Sequence, residues 1–419
     1  MQLALFARHI KEGELTIVEP SGNTHRFGSG DPSVTWAIHD AAAMARILRN
    51  PALELGETYV AGAWDAVNCP LADLLTVLRN NLQIALKSTS LPALARVVTS
   101  WNGMRASLTN AAHHYDVDEA VFRAFLDADM HYSCAYFRDG DMSLEAAQHA
   151  KCAHLATKLR PLAGQRILDI GSGWGGLAAH LAMLHDVEVT GLTLSMAQHT
   201  AATARAQELG LAGRVRFLRE DYRQHRGTYD RIISVGMLEH VGRRNLRTYF
   251  RTVARTLTPD GIAVVHTIAS TAPPSPTNPW MRRHIFPGGY IPSLSDTAAA
   301  IERSGLVVTD VEVLRDHYAK TLAEWSRRFQ ARRADIAATR GEAFCRMWEF
   351  YLAASQSAFV CRELVVHQWQ LAPRDVALPI TRDYMYDAAD HANRARCSAA
   401  APSKASSGVT TASVAIGRT

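Results

Sequence analysis

The sequence predicts an α/β protein, with a doubly wound sheet in the larger part of the chain and a smaller N-terminal domain before it. Three observations lead there. From about residue 111 to 387, short apolar runs alternate with segments of helical period, as βαβ units require. The first of these runs passes straight into GSGWGG, a glycine loop of the kind that turns a strand into a helix. The first 110 or so residues lack that alternation.

Taken in order, residues 1–110 open with a short strand-like segment. They continue into Leu71–Trp101, where Leu and Val recur at helical spacing among Arg79, Lys87 and Arg96. In the second region RILDIG (166–171), VEVTGLTL (187–194), VRFLRED (215–221), DRIISVGML (230–238), GIAVVHTIA (261–269) and VVTDVEVL (307–314) read as strands. LAAHLAMLH and AQHTAATARAQELG read as helices between them, the second ending on Gly210 as helices often do. Beyond Tyr386 few large apolar residues remain to offset the entropy of ordering, so 388–419 reads as a disordered tail.

Composition narrows the function classes. A chain of 419 residues can bury two cores, and 47% hydrophobic with 20% charged residues is ordinary for a globular enzyme. No apolar run reaches the roughly 18 residues of a membrane span, and Arg8 and Lys11 break the opening segment too early for a secretory signal. A cytoplasmic protein is expected. Its six cysteines form no C-x-x-C pair, which excludes a zinc site or disulfide framework and fits reduced thiols. A formal charge of +5 favours an anionic partner such as a phospholipid surface, and no nucleic-acid partner is expected.

Gly171, Gly173 and Gly176 satisfy G-x-G-x-x-G, which suits any ligand approaching the backbone at a helix N-terminus. A dinucleotide site expects an acidic residue at the end of the second strand to hold the ribose. Thr193, Leu194 and Gln198 lie there instead. Asp169, two residues before the first glycine, could receive an ammonium but would repel a pyrophosphate. With the polar pair Asp221 and Tyr222 after the third strand, D-x-G-x-G resembles motif one of class I S-adenosylmethionine (SAM) methyltransferases.

Ligands of open α/β sheets bind beyond the carboxyl ends of the strands. The fourth run ends in MLEHVG and the fifth in VVHTIA, which brings Glu239, His240 and His266 toward that crevice. A carboxylate and an imidazole there can form an acid–base pair, hold a metal, or hold an anion with its proton. Adjacent strand residues point to opposite faces, so Glu239 and His266 facing the site would turn His240 away, and no metal is expected.

HYSCAYF, LDIGSGWGG, GLTLSMAQ, SVGMLEHVG, HIFPGGYIPS and DHYAKTLAEW, in this order, resemble the cyclopropane fatty acid synthases and the related mycolic acid cyclopropane synthases over roughly 115–385. GETYVAGAWD (56–65) resembles the phospholipid-acting branch. The resemblance implies methyl transfer from SAM to a cis double bond of an unsaturated phospholipid acyl chain, with a bound bicarbonate as base for ring closure. A methyl-branched product is the alternative. Cys134, Glu239, His266, Ile268 and Tyr318 would surround the bicarbonate. Tyr132, Ser133, the loop from Leu168 through Asp169, Gly171, Ser172, Gly173 and Trp174 to Gly176, then Thr193 to Gln198, Asp221 and Tyr222, would line SAM.

A carbocation needs a dry pocket, for which Trp174, Tyr136, Phe137 and Tyr290 are candidate aromatic walls. WMRRHIFPGGYIP (280–292) and WSRRFQARR (325–333) are expected to meet phospholipid headgroups, giving peripheral membrane association. The N-terminal domain is expected to dock on lipid or to form a homodimer. Cys134 lacks the base a nucleophilic thiol needs and is expected to line the site without attacking anything.

Overall fold

The computed structural model describes residues 3–86 and 119–386. Met1–Leu378 forms one compact unit, and Pro379–Thr419 a second, described over 379–386. The tail expected over 388–419 and the part of the Leu71–Trp101 helix beyond Leu86 lie outside the described residues.

The N-terminal region is a small sheet with helices around it. Strands β1 (Gly13–Val18), β2 (Thr24–Ser29), β3 (Ser33–Ile38) and β4 (Trp64–Val67) lie in the order β2-β1-β3-β4. Leu15 and Ile17 of β1 and Val34, Trp36 and Ile38 of β3 alternate into its core, as a half-buried sheet requires. Among the described residues four helices accompany it: α1 (Leu3–His9), α2 (Ala41–Arg49), α3 (Pro51–Val60) and α4 (Leu71–Leu86). The Asp40 side chain accepts from Ala42 N–H at 2.9 Å and so caps α2, satisfying one donor the helix leaves unpaired.

The remaining elements are α5 (Glu119–Phe125), α6 (Leu144–Leu159), β5 (Arg166–Ile170), α7 (Gly176–Leu184), β6 (Glu188–Thr193), α8 (Met196–Glu208), β7 (Val215–Arg219), β8 (Tyr229–Val235), α9 (Leu246–Thr256), β9 (Leu257–Ser270), α10 (Pro279–His284), α11 (Leu294–Ile301), β10 (Leu306–Leu314), α12 (His317–Ala331), α13 (Arg333–Arg340), α14 (Glu342–Val360) and β11 (Leu364–Pro373). The seven strands lie in the order β10-β11-β9-β8-β5-β6-β7. β7 to β9 are parallel across the sheet, whereas β10 and β11 are antiparallel, so the doubly wound sheet is mixed. From β5 the chain winds outward through β6 and β7, then returns to place β8 and β9 on the other side. That reversal opens the crevice where ligands of such sheets sit.

Strand β11 was not foreseen. His367, Gln368 and Gln370 are buried within it, so polar residues interrupt the apolar run that marks an interior strand. α14 packs on α3 and α4. Its Arg346 lies 4.1 Å from the Tyr59 ring centroid and donates to Trp64 O at 2.9 Å and Asp65 at 2.8 Å.

Packing limits what the two basic segments, of which one or both are expected at headgroups, present to the surface. In 325–333, Arg327 and Arg328 pair with Glu324, Arg328 also with Glu145, Arg332 with Asp335, and Arg333 with Glu342 and Glu349. Helical spacing and tertiary packing neutralise this segment internally, leaving little charge for headgroups. In 280–292, Trp280 is 1% exposed against Phe350 and Tyr290 is 5% exposed, so neither can insert into a bilayer. Arg283 and His284 in the same segment pair with Glu57.

Candidate cofactor and acid–base site

Strand β5 delivers Asp169 to the crevice, and the chain then turns through Gly171 at φ +85°. A Cβ on Gly171 would stand 2.9 Å from Met237 Cβ, and one on Gly176 would stand 2.5 Å from Asp129 O. The loop therefore has to be glycine to bring its backbone against the cavity at the start of α7.

One cavity is lined by Tyr132, Ser133, Asp169, Gly171, Ser172, Gly173, Trp174, Gly176, Thr193, Leu194, Gln198, Asp221 and Tyr222. Of the residues assigned to SAM from sequence, Leu168, Gly175, Met196 and Ala197 are not among its walls; the Leu168 side chain packs in the core with Ile232. Thr193 Oγ1 donates to Gln198 Oε1 at 2.8 Å, so a hydroxyl and an amide stand where a dinucleotide site carries a carboxylate. Asp221 is held by Arg223, which donates through Nε to Oδ1 at 2.8 Å and through Nη2 to Oδ2 at 2.5 Å.

Asp169 is 1% exposed, and its Oδ2 has no hydrogen-bond partner among the described residues. Burial pushes its carboxyl up to about 7, opposed by the Lys151 ammonium. A buried orphan carboxylate beside a backbone cradle fits the cationic amino-acid end of SAM, which would supply its missing donor.

Sequence reasoning missed several walls, including Lys151, His131, Arg223 and His240. Lys151 is 1% exposed and its Nζ donates to Ser133 Oγ at 3.1 Å. With His154 and Lys158 it places polar residues at i, i+3 and i+7 on the buried side of α6. That interruption of a helix's inner face was the available signal.

His240 corrects the strand argument. β8 ends at Val235, and Leu238–His240 is a 3-10 turn, so strand alternation does not govern it and His240 lines the cavity. Burial lowers its imidazole to about 4, keeping it neutral.

Glu239, one residue before, reaches across to β9: its Oε1 accepts from Ile268 N–H at 2.5 Å, while its buried Oε2 has no partner among the described residues. Burial raises Glu239 to about 7, against the opposing Ile268 hydrogen bond. His266, 2% exposed, lies two residues before Ile268 and hence on the same face of β9. Burial lowers it to about 3, so the imidazole is neutral, and the Gln368 side-chain amide lies 3.2 Å from its Nδ1.

Cys134 and Tyr318 belong to one apolar cluster against which Ile268 packs. None of Cys134, Glu239, His266, Ile268 and Tyr318 is a wall of the cavity that Asp169 faces. The Cys134 thiol is fully buried, donates to Ala135 O at 3.2 Å, and is pushed up by burial, as a lining residue would be. Tyr136 is stacked between His154 and His317, with centroids 4.4 and 5.0 Å away, so its faces are not open to a substrate cation. Tyr290 is a core residue that is not among the cavity walls, while Trp174 remains at the cavity.

A glycine loop at the reversal of such a sheet, with an orphan carboxylate at the end of its first strand and no acidic residue after its second, defines a SAM-dependent methyltransferase. Among methyltransferases the kinship is specific. A profile of the mycolic acid cyclopropane synthetase family matches residues 103–369, and the chain belongs to that family.

It is 40% identical over 332 residues to the cyclopropane-fatty-acyl-phospholipid synthase of Escherichia coli, covering 78% of this chain and 84% of that one. It is 36% identical over 370 residues to a tuberculostearic acid methyltransferase of Mycobacterium tuberculosis, covering 82% and 84%. The solved mycolic acid cyclopropane synthase CmaA1, complexed with SAH and CTAB, is 32% identical and superimposes with a TM-score of 0.61 over 63% of this chain and 97% of that one.

Proposed function

We propose that this chain transfers the SAM methyl group to the cis double bond of an unsaturated phospholipid acyl chain and then closes a cyclopropane ring, with bicarbonate as the proton acceptor. The observation that carries the reading is Glu239, whose Oε1 accepts from Ile268 N–H of β9 and whose buried Oε2 has no partner among the described residues, with a neutral His266 two residues along the same strand face. The 40% identical relative named for acyl-phospholipid cyclopropanation supports the substrate class.

SAM supplies an electrophilic methyl and leaves as the neutral thioether. The alkene is a weak nucleophile, so the protein's contribution to this step is positioning and exclusion of water. Asp169 would hold the ammonium, and the Gly171–Gly176 loop would bring backbone N–H groups to the same end of the cofactor. The carbocation must then lose a proton. Protonated Glu239 Oε2 and the neutral His266 imidazole can each present an O–H or N–H donor, a set suited to a small buried anion such as bicarbonate, which would take that proton. Cys134 and Tyr318 would close the apolar side.

The second reading is a methyl-branched product, favoured by the 36% identical relative named as a tuberculostearic acid methyltransferase. Mass spectrometry of lipids from a host expressing the protein separates the two. Ring closure adds one CH2 without a reductant, whereas a saturated branch needs a hydride donor. Glu239→Gln is expected to lower product formation at least about 100-fold with SAM binding intact; unchanged ring formation in that variant would sink the role given to Glu239.

A further inference from the structure

The two basic segments singled out in the sequence are largely paired by packing, whereas Arg247 and Arg251 elsewhere have no ion pair among the described residues. Helix α9 turns Leu246, Tyr249, Phe250 and Val253 into the core. Its amphipathic order therefore sends Arg247, Arg251 and Arg255 outward, where all three are exposed, with Arg244 exposed just before the helix. From His240 through Pro259 the sequence contains no Asp or Glu. Asp296 of α11, which packs on α9, is already engaged by Arg243. Among the described residues Arg247 and Arg251 have no ion pair, and Arg255 donates to His225 O at 3.2 Å.

Such a row is locally costly. Like charges at i and i+4 destabilise a helix by roughly 0.2–0.5 kcal/mol per pair, and here there are two consecutive pairs, 247/251 and 251/255. The first turn of α9 holds Arg247 and no acidic residue, against the preference of a helix N-terminus. The arrangement is relieved by an anionic surface lying along the helix over about 12 Å.

We infer that the Arg244–Arg255 face of α9 is the docking surface for the anionic phospholipid headgroups of the substrate membrane. This rests on the proposed lipid substrate. A lipid surface fits better than an acidic soluble protein because Leu294, 50% exposed, opens α11 two residues from Asp296, the partner of Arg243. An exposed apolar side chain thus opens the helix that packs on α9, a pairing of apolar and basic groups suited to a membrane interface. Helix α9 begins at Leu246, shortly after His240 of the cofactor cavity, so its N-terminal turn adjoins the site's end of the sheet, whereas Arg255 in its last turn reaches His225.

The test uses the full chain. Cosedimentation with vesicles of phosphatidylglycerol and phosphatidylcholine is compared with pure phosphatidylcholine, for the wild type, Arg247→Glu/Arg251→Glu, and Arg374→Glu as an exposed control. Removing each arginine's contribution weakens binding about fivefold, so the double variant should bind anionic vesicles at least about 25-fold more weakly. The control should match the wild type. SAM affinity and methyl transfer to substrate dispersed in neutral detergent should be unchanged in the double variant.

Equal vesicle binding by the double variant overturns the inference. So does a parallel loss of activity in detergent, or binding only to an acidic soluble acyl carrier. Failure of the wild type to methylate any dispersed lipid would instead overturn the functional reading, leaving the vesicle result to stand by itself.

Discussion

Asp169→Asn isolates the cost of the cofactor site. Burial raises this carboxyl from 3.8 to about 7, a penalty on the order of 4 kcal/mol for keeping it ionised in the native state. The unfolded chain ionises near 3.8 and the native chain near 7, so in that window the native state holds the extra proton. Stability of the ligand-free protein therefore falls as pH rises from about 4 to about 7, and the whole penalty is present above 7.

The Asn variant lacks the penalty. Its unfolding midpoint should exceed that of the wild type at pH 8, with the difference shrinking towards pH 4, as read by circular dichroism melts. Binding should behave oppositely. SAM affinity of the wild type should rise about tenfold per pH unit up to about 7 and then level off, while the variant should show a flat profile and bind about 10- to 100-fold more weakly at pH 8, for want of a charge-assisted hydrogen bond. An Asn variant that is less stable at pH 8, or binds SAM with the wild-type affinity and pH profile, would refute the argument.

Lys151→Met should move the midpoint of pH-dependent SAM binding upward, because the buried ammonium lowers the Asp169 carboxyl; calorimetric titration at several pH values checks this, and an unmoved midpoint counts against it. Gly171→Ala places a side chain at φ +85° and 2.9 Å from Met237 Cβ; the fold should survive a strain of about 1–2 kcal/mol, with SAM affinity down at least about tenfold. Cys134→Ser should keep substantial activity, since the thiol is buried and held protonated. Complete loss in a folded variant that still binds SAM would contradict a lining role.

The glycine loop was legible because its chemistry is local. A tight turn and a close backbone approach demand glycine at fixed spacing, and the strand before it is a simple apolar run. The same locality exposed Asp169 and the absence of a carboxylate after β6. Where two local rules competed, the wrong one was applied to His240: strand period was extended past Val235, but the chain had already turned at Gly236 with φ +66°. Lys151 leaves only a weak trace in the sequence, the polar interruption of α6's inner face, because a lysine in a helix is ordinarily solvated and the packing of α6 against the sheet is what buries it.

The sequence by itself determined the fold class, the family resemblance and the residue types at the cofactor loop, because those follow from periodicity and short-range backbone constraints. The tertiary structure decided which charges are spent and which remain. Arg328 and Arg333 find carboxylates 4 to 183 residues away in the chain and are largely neutralised, whereas Arg247 and Arg251 find none among the described residues. It also raised two carboxyls towards neutrality, since desolvation depends on what folds over a group rather than on its neighbours in sequence.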